Sequence, residues 1–191
     1  MNAGIFERDR SCLVVIDVQT AFLGKLPLHE RAPLVERIAW LMAVARALDI
    51  PIVATAEDIA RNGTLVPELE ALVPAGTVHD KMIFGLDQQP DIRAAIAATR
   101  RDAFVLTGME TDVCVAHSAL GLKAMGHRVA VIDDACASPP PNHEHGLRRL
   151  RDAGVTVAST KGIYYEWVRD LATHRRVKAR LNAPTPAGMT L

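Results

Sequence analysis

Unbroken apolar runs of strand length recur along this chain, and segments of helical periodicity separate them. Runs rich in valine and isoleucine, without a polar residue at every second position, are typical of strands buried on both faces of a parallel sheet. The clearest runs cover 12–17, 51–55, 103–107, 128–133 and 155–159. A weaker candidate covers 77–81, and its place between helical segments favours it more than its own residues do.

The segments between these runs predict helices. Residues 32–48 place leucine, isoleucine and alanine side chains on one helical face, and two later segments end at Gly126 and Gly154. Strand alternating with helix predicts a three-layer α/β/α domain with a Rossmann-like, doubly wound, six-stranded parallel sheet. We expect this domain to cover residues 1–182, followed by a flexible C-terminal tail over 183–191.

The composition excludes several classes of partner. Lysine plus arginine and aspartate plus glutamate both number 22, and this zero net charge argues against nucleic acid or an anionic membrane as the main partner. No run reaches the roughly 18 apolar residues of a membrane span, and the charged N-terminal segment does not resemble a signal peptide. The three cysteines lack disulfide or zinc spacing. We therefore expect a cytoplasmic protein that acts on a small molecule.

Polar residues that follow the strands mark the candidate site. Asp17 follows the first run, Lys81 ends the weak one, and the fourth leads through Gly108 to Cys114. Ligands of open α/β sheets bind beyond the carboxyl ends of the strands, where the strand order reverses. If the first and fourth strands are neighbours at that point, an acid, a cation and a thiol converge there.

This convergence predicts that Cys114 is a nucleophile. We expect Lys81 and a helix N-terminus, capped by Thr111 or Asp112, to lower the pKa of the thiol, with Asp17 as the base that takes its proton. An inert core thiol is the commoner role for a free cysteine, and it is the role that we predict for Cys12 and Cys136.

The histidines raise two other possibilities, a catalytic Cys114–His117 dyad and a metal site at His143 and His145, and the sequence disfavours both. His117 lies one helical turn after Cys114, but a helical side chain leans toward the N-terminus and does not readily align with a thiol that faces the crevice. We therefore expect His117 to pack or to line the substrate. His143 and His145 are two residues apart on a predicted helix and diverge, which makes a metal pair there improbable.

Three motifs, "VVIDVQ", "KMIFG" and "GMETDVCV", resemble those of the isochorismatase-like cysteine hydrolases, in the same order across nearly the whole chain. That family includes nicotinamidases, N-carbamoylsarcosine amidases and ureidoacrylate amidases. The resemblance implies a catalytic triad of Asp17, Lys81 and Cys114. It also implies a cis peptide bond at Met109–Glu110 and an oxyanion hole formed by the backbone N–H groups of Glu110 and Cys114. Because family members usually assemble, we expect a homo-oligomer: a dimer, a tetramer or larger.

One departure from the family bears on metal binding. The nicotinamidase branch carries an Asp-x-His metal motif after its second strand, whereas "TAEDIARNG" here offers Glu57 and Asp58 without a histidine. The resemblance therefore implies no catalytic metal and no cofactor, and it disfavours nicotinamide as a substrate. Isochorismatases proper lack the cysteine, so Cys114 disfavours isochorismate as well.

The function predicted from these residues is hydrolysis of a C–N bond, of amide or carbamoyl type, through a cysteine thioester. We expect Gln19, Phe22, Phe84 and Met109 to contact the substrate. One alternative is hydrolysis of a vinyl ether of the isochorismate type, with Cys114 as a bystander. The other is a catalytically silent binding or scaffold protein on the same fold.

Overall fold

A computed structural model describes residues 4–181 and 184–191 of the chain. Six parallel strands form one sheet in the order β3-β2-β1-β4-β5-β6, which confirms the predicted doubly wound α/β fold. The weak candidate at 77–81 is the edge strand β3. The strands are β1 (Ser11–Ile16), β2 (Ile52–Glu57), β3 (Val78–Lys81), β4 (Ala103–Met109), β5 (Arg128–Ala137) and β6 (Thr156–Ala158).

The connections between strands are mainly helical. The α-helices are α1 (Thr20–Leu23), α2 (Leu28–Ala47), α3 (Ile59–Asn62), α4 (Pro67–Glu70), α5 (Pro90–Ala98), α6 (Ala116–Ala124), α7 (Asn142–Asp152), α8 (Thr160–Val168) and α9 (Leu171–Arg180). Short 3-10 turns cover Arg8–Arg10 and Leu86–Gln88, and a π-helical turn covers Thr111–Val115. Among the described residues, no helix combines the length and apolar character that a membrane crossing requires.

The two faces of the sheet bury separate apolar clusters. Along β1, Leu13 and Val15 belong to the cluster that includes residues of α2 and α8, while Val14 and Ile16 belong to the cluster with residues of α5, α6 and α7. Burying each such side chain contributes about 1.5–3 kcal/mol. This two-sided burial explains the unbroken apolar runs, and it holds the carboxyl ends of the strands in fixed positions.

The remaining cysteines lie within this core. Cys12 and Cys136 are free and buried, as their apolar surroundings predicted. Burial raises the pKa of Cys12 to about 12, and it raises the pKa of Cys136 as well. Both thiols are therefore protonated at neutral pH, in keeping with core packing.

The strand order reverses at β1, which pairs with β2 on one side and with β4 on the other. At this point Gly108 has a φ of 121°, and a Cβ there would lie 2.0 Å from the carbonyl oxygen of Ile16. Glycine therefore permits a close approach of the two backbones. The approach brings the chain after β4 beside the chain after β1, which is the convergence that the candidate site requires.

The C-terminal segment contacts the domain. Met189 and Leu191 pack against the cluster that includes α2, and the side chain of Arg37 donates a hydrogen bond to the carbonyl oxygen of Ala187. The predicted boundary at 182/183 lies outside the described residues. The flexibility predicted for this tail stays a prediction.

Candidate active site

Asp17 and Lys81 form a buried ion pair at the switch point. Asp17 follows β1 directly with a φ of 52°, and Lys81 is the last residue of β3. The Lys81 Nζ atom lies 2.9 Å from Asp17 Oδ2, and neither side chain is exposed. Thr55 on the intervening strand donates its hydroxyl to Asp17 Oδ1 at 2.9 Å. Two residues that are 64 positions apart in sequence are thus joined by the strand register.

Cys114 completes the predicted cluster. Its Sγ atom lies 3.5 Å from Lys81 Nζ and within 4.8 Å of a carboxylate oxygen of Asp17. The residue is 4% exposed. The structure therefore brings together the acid, the cation and the thiol that the sequence placed after three separate strands.

The local structure around Cys114 differs from the prediction. Cys114 lies in the π-helical turn, and Glu110 precedes the turn without a side-chain cap. Thr111 and Asp112 do not cap it, because Thr111 Oγ1 hydrogen-bonds His143 Nδ1 at 2.8 Å and the Asp112 carboxylate accepts from Ser138 at 2.6 Å. The prediction of a Thr111 or Asp112 cap is wrong because both side chains anchor the turn to the β5–α7 segment instead.

Close packing supports this anchoring. A Cβ at Gly146 of α7 would lie 2.8 Å from the backbone of Asp112, so the helix needs a glycine to approach the turn. His143, which the sequence suggested only as an improbable metal ligand, lies one turn earlier on α7 and holds Thr111. Both residues of α7 therefore help to position Cys114.

Glu57 is a fourth member of the cluster, and the sequence analysis assigned it no role. Its Oε2 atom lies 3.3 Å from Cys114 Sγ and 3.7 Å from Lys81 Nζ. Its side chain is 24% exposed, whereas those of Asp17 and Lys81 are fully buried. Glu57 is paired in register with Lys81 between β2 and β3. The sequence signal that could have identified it is a carboxylate at the end of the second apolar run.

The charges of this cluster determine its proton distribution. Burial raises the pKa of the Cys114 thiol, and the Asp17 carboxylate raises it further, while Lys81 offsets part of this effect. Burial also raises the pKa of Asp17, although Lys81 acts in the opposite direction. The direction of this pKa shift is opposite to the lowered pKa that we expected for the thiol, because burial and Asp17 together outweigh the attraction of Lys81. The thiol is protonated at neutral pH and needs a base.

Three residues of the cluster have side chains that can bind a metal ion. Single side-chain atoms of Asp17, Glu57 and Cys114 lie within 4.8 Å of one another, a spacing that one cation spans. The ammonium group of Lys81 contacts all three side chains and supplies a positive charge at that position. The absence of a catalytic metal stays a prediction.

The side chain of Gln19 is bonded to the backbone at the end of β2. Its side-chain NH₂ group donates to the carbonyl oxygens of Glu57 at 2.9 Å and Gly63 at 2.6 Å. Its carbonyl oxygen accepts from the Glu57 N–H at 2.7 Å. The side chain is fully buried. These bonds engage the amide in holding the end of β2 and with it Glu57, and a substrate contact of Gln19 stays a prediction.

The other predicted substrate contacts fall into two groups. Met109 is completely buried in the core cluster that includes α2, which offers no exposed surface to a substrate, and its substrate contact stays a prediction. Phe84 is 51% exposed and lies 5.9 Å from Lys81 Nζ, measured to the ring centroid. Phe22 is partly buried beneath the ammonium group of Lys25. Phe84 and Phe22 stay predicted substrate contacts.

His117 and the peptide before the turn complete the site. His117 is exposed and contacts the edge of Phe84, with 6.1 Å between the ring centroids, which agrees with a packing or lining role. The Met109–Glu110 peptide bond is cis, at the position that the family resemblance implies. The oxyanion hole at Glu110 and Cys114 stays a prediction.

The fold and the site together define a class of protein: doubly wound α/β proteins with an acid, a lysine and a cysteine at the switch point of the sheet. A family model described as the isochorismatase domain matches residues 11–162. The chain therefore belongs to the isochorismatase family of hydrolases.

Individual relatives agree with this assignment. Isochorismatase domain-containing protein 2A of Mus musculus is 30% identical over 173 residues, which cover 89% of this chain and 80% of that protein. YcaC from Pseudomonas aeruginosa, described with hexane-2,5-diol and covalent acrylamide, has a TM-score of 0.85 at 24% identity, covering 98% of this chain and 95% of that one. YcaC from Escherichia coli, an octameric hydrolase of unknown specificity, has a TM-score of 0.82 at 22% identity, covering 94% and 92%. At this identity the solved structures show the fold alone.

Proposed function

We propose that this protein is a metal-independent cysteine hydrolase that cleaves an amide or carbamoyl C–N bond of a small molecule. The observation that carries the proposal is the contact of Lys81 with both Asp17, at 2.9 Å, and Cys114, at 3.5 Å. A buried thiol beside a carboxylate whose pKa is raised is an arrangement suited to nucleophilic catalysis with a general base.

In the proposed reaction, Asp17 takes the proton of Cys114 as the sulfur attacks the carbonyl carbon. An S–C bond forms and the carbonyl oxygen gains the negative charge, which the N–H groups of Glu110 and Cys114 are proposed to stabilise. The C–N bond then breaks, and the nitrogen leaves with the proton from Asp17. Water hydrolyses the thioester as Asp17 accepts its proton, and the released sulfur takes that proton back. Lys81 stabilises the anionic states of both neighbours.

Screening for ammonia release from small amides, carbamoyl compounds and ureides tests this proposal. We expect wild type and Cys12→Ala to release ammonia from at least one class. Cys114→Ala should lose about a thousandfold or more of this activity. Mass spectrometry should detect an acyl group on the Cys114 peptide during turnover.

Two results would favour the alternatives. Ammonia release or ether cleavage by Cys114→Ala at the wild-type rate would make the thiol a bystander, as expected for vinyl-ether hydrolysis. No turnover of any compound by wild type, with no acyl group trapped on Cys114, would favour a silent binding protein.

We also propose that the protein forms a homo-oligomer with an interface beside the site. Three apolar residues that follow Lys81 are largely exposed: Met82 at 66%, Ile83 at 39% and Phe84 at 51%. Such a contiguous apolar surface is typical of a protein contact, and the octameric YcaC of Escherichia coli supports assembly. Light scattering should give a multiple of the 20.7 kDa chain mass. A Met82→Ser/Phe84→Ser variant should shift to smaller species, and a monomeric wild type would contradict the proposal.

A further inference from the structure

Glu57 lies between the buried part of the site and the surface. Its carboxylate contacts Cys114 Sγ at 3.3 Å, and its side chain is 24% exposed. Asp17 and Lys81 lie beneath it with no exposure. Among the charged side chains that contact the thiol, the carboxylate of Glu57 is the most exposed, so it is the one that a small molecule approaching the sulfur is expected to meet.

Of the two carboxylates that Lys81 contacts, Glu57 lies farther from the ammonium group, so its negative charge is balanced less. Lys81 Nζ is 2.9 Å from Asp17 Oδ2 and 3.7 Å from Glu57 Oε2, so its charge is balanced mainly by Asp17. The two carboxylates and one ammonium group sum to one negative charge. The remaining negative charge lies beside the thiol, on the side that faces the surface.

The main chain of Glu57 is held by hydrogen bonds, and its carboxylate is held by its contacts with Cys114 and Lys81. Gln19 donates to the Glu57 carbonyl and accepts from its N–H, and Asn62 donates to the same carbonyl at 3.0 Å. A fixed carboxylate presents acceptors without donors, and it repels an approaching anion.

We propose that Glu57 is a specificity-determining residue, which admits substrates with N–H donors or positive charge beside the scissile bond and disfavours substrates with a carboxylate there. The inference rests on the proposed function and narrows its substrate class to neutral or cationic amides and carbamoyl compounds. The contact of the carboxylate with both the thiol and the surface is what distinguishes Glu57 from Asp17 in this role.

Alkylation of Cys114 tests this charge selection without requiring turnover. Iodoacetamide is neutral and iodoacetate is anionic, and both react with the same thiol, so the ratio of their rates at one pH cancels the thiolate fraction. Peptide mapping by mass spectrometry assigns the modification to Cys114. The variants are Glu57→Gln, which keeps the shape without the charge, and Glu57→Asp, which keeps the charge. Glu70→Gln, at an exposed position on α4, is the matched control for net charge.

In wild type we expect the ratio of iodoacetamide to iodoacetate rates to exceed that of free cysteine by about tenfold. Glu57→Gln should bring this ratio to within about threefold of that of free cysteine, while Glu57→Asp and Glu70→Gln should keep the wild-type ratio.

Hydrolysis of three amides gives the corresponding test in turnover: pentanamide is neutral, 4-aminobutanamide is cationic and succinamate is anionic. With these amides, Glu57→Gln should raise the relative kcat/KM of succinamate.

A wild-type ratio equal to that of free cysteine would overturn the inference, as would a ratio unchanged in Glu57→Gln. Complete resistance of Cys114 to both reagents would overturn it too, because no small molecule would then pass Glu57. Charge selection in alkylation combined with no hydrolysis of any amide would support the role of Glu57 while the proposed reaction fails. The two failures are therefore distinguishable.

Discussion

The ammonium group of Lys81 lies 2.9 Å from the carboxylate of Asp17, and both side chains are fully buried between the ends of β1 and β3. Burial lowers the pKa of Lys81, but the attraction of Asp17, Cys114 and Glu57 outweighs this effect, and the pKa is raised. Lys81 is thus charged at neutral pH, and its charge holds the site together.

Removing one partner of this pair should destabilise the protein strongly. Lys81→Met leaves the Asp17 carboxylate buried without its cation, and we expect a loss of about 3–5 kcal/mol in the free energy of unfolding. The double variant Asp17→Asn/Lys81→Met should recover part of this loss, because no buried charge then lacks a partner at this position. Urea unfolding measures both values. Equal stability of Lys81→Met and wild type would contradict a buried ion pair.

The loss should also depend on pH. A carboxyl group whose pKa is higher in the folded than in the unfolded state stabilises the fold below its unfolded pKa, and this stabilisation is lost as pH rises through the folded pKa. The pKa of Asp17 is raised by burial even with Lys81 present, and it should be raised further in Lys81→Met. The variant should therefore lose less stability at mildly acidic pH than at neutral pH.

The thiol of Cys114 should ionise above the ordinary range. Because burial and the Asp17 carboxylate raise its pKa, we expect the pH midpoint of its alkylation to exceed the value of about 8.5 for free cysteine. Asp17→Asn removes a negative charge and should move this midpoint to lower pH. Rates of iodoacetamide modification across pH measure it. A wild-type midpoint below that of free cysteine would instead support a thiol activated by Lys81.

Gln19 should stabilise the fold, because its side chain hydrogen-bonds the backbone at the end of β2. Gln19→Ala removes three hydrogen bonds to the backbone of Glu57 and Gly63. We expect a cost of about 2–3 kcal/mol and faster amide exchange over 57–63. Gln88→Ala, at an exposed position, is the control. A higher KM in Gln19→Ala without any loss of stability would instead indicate that Gln19 contacts the substrate.

The close approach at Gly108 should tolerate no side chain. In Gly108→Ala the Cβ would lie 2.0 Å from the Ile16 carbonyl oxygen at a φ of 121°, and we expect a cost of about 3 kcal/mol or more together with loss of activity. Gly126→Ala has a φ of 89° with open space around the Cβ, and should cost about 1–2 kcal/mol. Similar melting temperatures for the two variants would argue against a steric requirement at Gly108.

Much of the fold could be predicted from the sequence because its signals are local. The unbroken apolar runs indicated strands buried on both faces, and the alternation with helical periodicity indicated a doubly wound sheet. Asp17, Lys81 and Cys114 were found because the carboxyl ends of parallel strands share one edge of the sheet.

The sequence-based predictions that differ from the structure concern side chains whose contacts come from several helices and strands. Thr111 and Asp112 have the chemistry of helix caps, but their partners His143 and Ser138 come from the segment after β5. Met109 lies beyond the apolar run of the fourth strand in the sequence, but it is the last residue of β4 and its side chain is buried in the core. Local chemistry does not reveal which distant groups compete for a side chain.

Hydrophobic periodicity and strand polarity act over short segments, so they indicate which elements form and which reactive side chains lie at the strand ends. How the charges are shared depends on contacts between distant segments. The register of β2 against β3 places Glu57 beside Lys81, and the close approach of the chains after β1 and β4 brings Cys114 to the same group. One ammonium group therefore serves two carboxylates. The ionisation of the thiol follows from that geometry, since electrostatic energies depend on distance and burial rather than on position in the chain.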